Sequence, residues 1–252
     1  MEKKMYGTVL IKASDILDAL DDGKPKSIQT ISQETGIGAP TVSKILSTLE
    51  YLYYVSKNSN DKTYSLGSKF MKFGSIETTT TDFVEKTRPY LEELQGNIDE
   101  AIHLAVPQND KMIYVNKLEP KKQSIYMTSK IGLTREMYSS GIGKAVLSQY
   151  SPKMLDNYLS KINLTPKTPN TITSKEELKQ DLLETRKRGY AIDNEEQEKD
   201  GYCIAVPISR FDQVVGSLSI SIPKFRLTEE YRDQIIANIK KTQHKIESEL
   251  NK

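Results

Sequence analysis

A single cysteine, Cys203, stands in 252 residues. One thiol cannot close an intramolecular disulfide, so the chain gives no sign of an oxidising compartment and a cytoplasmic setting is expected. Histidine is almost as scarce. His103 and His244 lie far apart in the sequence, which leaves little support for a zinc site, and neither a metal nor another cofactor is expected. No apolar run reaches the roughly 18 residues of a membrane span, and Met1 to Leu10 lacks the hydrophobic centre of a signal peptide. The chain is expected to carry no export signal and to cross no membrane.

An excess of either charge is missing too. The net charge is +2. Residues 1–75 hold ten lysines, no arginine and eight acids, and the remainder is balanced. Any contact with nucleic acid must then be made by a few placed lysines, not by a broad basic surface. What is present is a globular balance, with 37% hydrophobic and 28% charged residues, in a length suited to one large or two modest domains.

The most informative stretch runs from Ser27 to Gly67. Ile28 and Ile31 fall on one face of a short helix that Gly36 ends in a left-handed cap. Pro40 opens a second helix, where its missing N–H costs nothing. Val42, Ile45, Leu46 and Leu49 then recur at helical spacing as a buried stripe. The opposite face carries Thr41, Ser43, Lys44 and Ser47. Short polar side chains let a helix approach base edges closely, and a lysine can meet a base or a phosphate. Tyr51 to Lys57 and Lys62 to Leu66 flank the turn-rich tip Asn58-Ser59-Asn60-Asp61, which predicts a β-hairpin wing. Lys57, Asn58 and Lys62 sit where a wing touches phosphates. A helical hairpin with a merely solvated face is the competing reading, and the appended wing favours DNA.

Around this stretch, Met5 to Leu20 predicts a first helix with Val9, Ala13, Ile16, Leu17 and Leu20 on one side. Thr78 to Thr81 marks a change of composition and a domain junction. Asp82 to Gln95 predicts another helix, kinked or restarted at Pro89. Ile102–Val106, Met112–Leu118 and Ser124–Ser129 predict strands. Helices follow over Gly141–Tyr150, Pro152–Leu159 and Ser174–Arg188, the last opened by Ser174 and Glu177 as a capping box. Cys203–Ser209 and Val214–Ile222 predict two strands joined by residues 210–213, and Thr228–Leu250 a long final helix. The expected class is α+β: residues 1–75 a winged helix-turn-helix, 76–98 a linker helix, and 99–252 an α/β domain.

The order of these parts resembles the IclR family of bacterial transcriptional regulators. The phrases that carry the resemblance are TVSKILSTLEYLYYV and YSLGSKFMKFG in the first part. In the second they are RPYLEELQ, HLAV, SSGIGKAVLS, RKRGYAIDNEE, GYCIAVPI and GSLSISIP. The resemblance implies a GAF-like effector-binding domain behind the winged helix. It implies a homodimer or homotetramer that binds a double-stranded DNA operator, more often as a repressor, and answers a small organic or sugar acid. The family's pocket positions fall here on Gly141, Ile142, Asp193, Cys203, Ser219 and Ser221, with a further one at Ser124 or Ile125. The segment Glu198-Lys199-Asp200 departs from the small or apolar residues of many relatives. Beside the pocket these charges would suit a polar sugar acid, or they could simply face water.

Other readings compete at single residues. Gly141 and Gly143 flank a helix start where free N–H groups favour a carboxylate, or they serve only a tight turn. Ser217, Ser219 and Ser221 alternate with Leu218, Ile220 and Ile222, so the serine row faces a ligand or solvent. Cys203 with His103 and Asp193 suggests a thiol or hydrolytic enzyme, although a neutral buried cysteine is commoner. The second domain could also be a dimerisation module without a ligand. Function as a regulator, not as an enzyme, is the expectation.

Overall fold

The computed structural model describes residues 7–74, 79–122 and 129–252. The chain divides between residues 78 and 79 into two compact units.

In the first unit, α1 (Thr8–Asp18), α2 (Ile28–Thr35) and α3 (Ala39–Tyr51) precede the antiparallel pair β1 (Val55–Asn58) and β2 (Thr63–Leu66) and a short α4 (Lys69–Gly74). Ser27 caps α2 by accepting from the Thr30 N–H, and Gly36 ends it at φ 68°. That pairing of a side-chain cap and a left-handed glycine sets the length of the helix. The predicted stripe of α3 is buried with Ile16, Leu20, Ile31, Val55 and Tyr64. Val9 departs from expectation. It is 59% exposed and Leu10 72%, so the first turn of α1 lies off the core. The wing also begins later than predicted. Tyr51 finishes α3, and Tyr53 takes φ 64° as the chain turns back to Glu50 and Leu49. The aromatic run Tyr51–Tyr54 suits a strand by propensity, but the helix stop overrides it.

In the second unit, α5 (Thr79–Asn97) leads into β3 (Ala101–Gln108), β4 (Lys111–Leu118) and β5 (Thr134–Glu136). Then come α6 (Gly141–Leu147), α7 (Pro152–Lys161), α8 (Lys175–Arg188), β6 (Ala191–Asn194), β7 (Gly201–Arg210), β8 (Gln213–Pro223), a 3-10 turn at Lys224–Arg226 and α9 (Glu229–Leu250). The strands form one antiparallel sheet in the order β5-β4-β3-β8-β7-β6. Pro89 does not break α5 into two, and the helix packs within this unit against α9. Strands β5 and β6 were not expected, being three and four residues long. The predicted strand Ser124–Ser129 lies outside the described residues except for Ser129, which is in no strand. The predicted helix from Gly141 ends at Leu147, before Tyr150.

The period of two along each strand sorts the two faces. Ile102, Leu104, Ile204, Val206, Leu218, Ile220 and Ile222 pack with Leu91, Leu94, Ile235 and Ile239 of α5 and α9. Each such burial stabilises by about 1.5–3 kcal/mol. The alternate residues face α6 and are small or polar, and Ser217, Ser219 and Ser221 are all buried there. The solvent reading of the serine row is thereby overturned, because α6 covers that face of the sheet. Gly143 lets α6 lie against the backbone of Met137, where any Cβ would overlap.

Candidate functional site

Ser43, Lys44 and Ser47 stand exposed on α3, opposite its buried stripe, and Thr41 is half-buried at its start. The Ser and Lys side chains are free to reach a groove edge. On the wing, Lys57 is exposed and lies 5.6 Å over the Tyr64 ring. Lys62 is exposed at φ 57°. Asn58 is committed to the tip itself: its amide donates to Asp61 and its oxygen accepts from the Asn60 N–H. Asn58 is therefore a holder of the wing's shape first. Lys26, a cation next to the wing, is taken up by Glu34 at 2.8 Å and Asp22 at 3.2 Å.

The second unit holds a cavity between the sheet and the start of α6. Its floor is one row of strand residues. His103 pairs with Ser219 across β3 and β8, Ser221 with Cys203 across β8 and β7, and Cys203 with Asp193 across β7 and β6. Gly141 and Ile142 form its helical wall, and Tyr114, Arg135, Gln197 and Glu198 are among its other lining residues. Of the expected residues, Gly141, Ile142, Asp193, Cys203 and Ser221 line it. Ser219 lies one step behind, buried beside the Cys203 thiol. Ser124 and Ile125 lie outside the described residues. At Gly141 the helix comes close to the sheet: a Cβ there would lie 3.0 Å from Cys203 Sγ.

Electrostatics fix which groups are charged. Burial, with help from Lys117 and Arg135, lowers His103 to about 3. The imidazole is neutral, its Nε2 paired with Ser129 Oγ at 2.6 Å and its Nδ1 without a partner among the described residues. Burial and the neighbouring Asp193 push the Cys203 thiol up to about 12. A thiol held that far above neutral pH is a poor nucleophile, which weighs against a thiol-enzyme reading. Burial raises Asp193 to about 6, against the N–H groups of Glu196 and Gln197 that it accepts. Asp193 thus holds the loop after β6. Beneath that loop, buried Lys144 on α6 bonds Glu196 at 2.5 Å and Asp181 at 3.1 Å. Burial still pushes Glu196 up to about 7. The N-terminal turn of α6 is partly used internally, since Ser140 Oγ accepts from Gly143 N–H. The cation among the cavity's lining residues is Arg135, on an edge strand too short for the sequence to announce.

Among the described residues no cluster of histidine, cysteine and acids is arranged to hold a metal, and no helix is long and apolar enough to cross a membrane.

Residues 9–59 match the IclR helix-turn-helix domain, and residues 77–248 match the bacterial transcriptional regulator IclR C-terminal family. The chain belongs to the IclR family. It is a DNA-binding transcriptional regulator with an N-terminal winged helix-turn-helix and a C-terminal α/β domain. Among IclR-family relatives, the chain is 32% identical to the HTH-type transcriptional regulator KdgR of Escherichia coli strain K12, covering 96% of this chain and 92% of that protein. The crystal structure of the Thermotoga maritima IclR matches with a TM-score of 0.79 at 32% identity, over 97% and 99% of the two chains. An IclR homolog from Microbacterium hydrocarbonoxydans, complexed with 4-hydroxybenzoate, shares the fold with a TM-score of 0.77 at 19% identity, over 96% and 98%.

Proposed function

We propose that this IclR-family regulator is a cytoplasmic repressor whose hold on its operator is set by a small hydroxy acid or sugar acid in the C-terminal cavity. The observation that carries the reading is the row of buried His103, Ser219, Ser221 and Asp193 with half-buried Cys203, facing Gly141 and Ile142. Buried polar groups are costly without partners, and here they converge on one concave space. The Microbacterium homolog's complex with 4-hydroxybenzoate supports an acid in this class of domain. The ligand recognised here is more polar, because serines, a neutral imidazole and Gln197 surround the space. In the first unit, residues 1–75, Thr41, Ser43, Lys44 and Ser47 read the major groove and Lys57 and Lys62 meet phosphates, with Asn58 shaping the tip. Residues 76–98 link this unit to the effector domain, 99–252.

A homodimer or homotetramer fits the reading. One short reading helix with a single lysine binds weakly alone, and a pair can read two half-sites one helical turn apart. The uncovered Val9 and Leu10 are the kind of apolar surface that a second copy covers. Thermal-shift screening against small organic and sugar acids tests the effector, since a ligand of the folded state raises its stability. Calorimetry then tests the place. Ser219→Ala with Ser221→Ala should weaken the selected acid at least tenfold while leaving ligand-free operator affinity unchanged. Equal binding of the acid by the double variant and the wild type would put the site elsewhere.

A further inference from the structure

We infer that Arg135 is the anchor for the effector's carboxylate, and that Glu198 holds this anchor in the ligand-free protein. The inference rests on the effector-pocket reading and adds the group that recognises the acid's charge.

Arg135 and Glu198 come from opposite ends of the sheet. Arg135 is on β5 and Glu198 on the loop leaving β6, the two edge strands in the order β5-β4-β3-β8-β7-β6. Their side chains nevertheless meet at 2.5 Å at the cavity wall. Of the charged segment that departs from the family pattern, Glu198 therefore turns to the cavity, while Lys199 and Asp200 face water. The ion pair ties one edge of the curled sheet to the other beside the pocket.

A carboxylate from solution is the chemical equivalent of the Glu198 side chain. Exchanging one for the other keeps a charge-assisted bond on the guanidinium, so the desolvated cation is never left unpaired. Glu198 is built to leave. Its side chain is 36% exposed, against 15% for Arg135, so it already meets more water than Arg135 does. The root of its loop stays fixed: Asp193 accepts two of its N–H groups, Lys144 holds Glu196, and Thr171 donates to the Glu196 carbonyl. Departure of Glu198 also makes room. The cavity encloses about 40 Å³, space for about two or three waters and not for a sugar acid. A neutral sugar has no means to displace Glu198. An acid with hydroxyl groups does, and Nδ1 of His103, which has no partner among the described residues, offers its hydroxyl a bond farther in. Arg135 is thus a specificity residue for acids over their neutral counterparts, and Glu198 sets the concentration at which the acid wins.

Calorimetric titration of the full-length protein with acetate, D-gluconate and the neutral D-gluconamide tests this in the wild type, Glu198→Gln and Arg135→Gln. Acetate and gluconate should bind Glu198→Gln about tenfold more tightly than the wild type and Arg135→Gln at least tenfold more weakly. The amide should not distinguish the three. A gain of affinity in Glu198→Gln cannot come from damage to the fold. Acid affinities that respond to Ser219→Ala with Ser221→Ala but not to Arg135→Gln or Glu198→Gln would overturn this inference and leave the pocket standing. Affinities indifferent to all of these variants, or no saturation of Glu198→Gln below about 10 mM, would overturn the pocket and the anchor together.

Discussion

Ser43, Lys44 and Ser47 stand in water on one face of α3, whereas His103, Ser219 and Ser221 are buried beneath α6. On the proposed reading, the two units solve recognition in opposite ways. The first backs an exposed polar face with an apolar stripe at helical spacing, so its working side chains contribute almost nothing to folding. The second puts polar groups inside, where a group left without a partner is costly. Lys144 shows the consequence: it is buried on α6 and meets Glu196 and Asp181, tying helix, loop and α8 together. Changing a working residue in the first unit should cost binding alone. Changing one in the second should cost stability as well.

The sharpest break of that contrast is Lys144→Met. It leaves Glu196 buried without its cation, and loss of one partner of a buried pair costs about 3–5 kcal/mol. Denaturant unfolding should show the loss in the transition of the second unit, with that of the first unit unmoved. A loss below about 1 kcal/mol would place Lys144 effectively at the surface and dissolve the distinction between the units.

A smaller effect is expected in the first unit. The triple change Ser43→Ala, Lys44→Ala and Ser47→Ala should weaken operator binding by about 1–3 kcal/mol, with a shallower salt dependence from the lost lysine. Its thermal unfolding should match that of the wild type. Operator binding equal to the wild type across salt concentrations would remove α3 as the reading helix.

The same contrast explains what could be read in the sequence. The stripe Val42-Ile45-Leu46-Leu49, the cap at Gly36 and the exposed face of α3 all lie within sixteen residues, and local spacing is enough to order them. The long strands β7 and β8 and the helix α9 were legible for the same reason. The cavity was legible only in part. Gly141, Ile142, Asp193, Cys203 and Ser221 came from the family resemblance, and the serine row's burial needed the knowledge that α6 lies over it. Arg135 and His103 come to the site through β5 and β3, and Arg135 meets Glu198 across 63 positions of sequence. Register between strands that distant is set by the sheet as a whole, and no local period encodes it. Strands β5 and β6 escaped because three or four residues are too few to show alternation.

The central claim is that an acid in the second unit's cavity sets the first unit's grip on DNA. Operator affinity of the wild type, measured with and without a saturating amount of the acid that most raises its thermal stability, tests it directly. A coupling of about 1–3 kcal/mol, a change of roughly 5- to 150-fold, is the expected size. The account predicts a loss of operator affinity of that order in the wild type, with the Ser219→Ala and Ser221→Ala double variant unresponsive at the same acid concentration. Operator affinity unchanged by the saturating acid, or changed equally in the double variant, would contradict it.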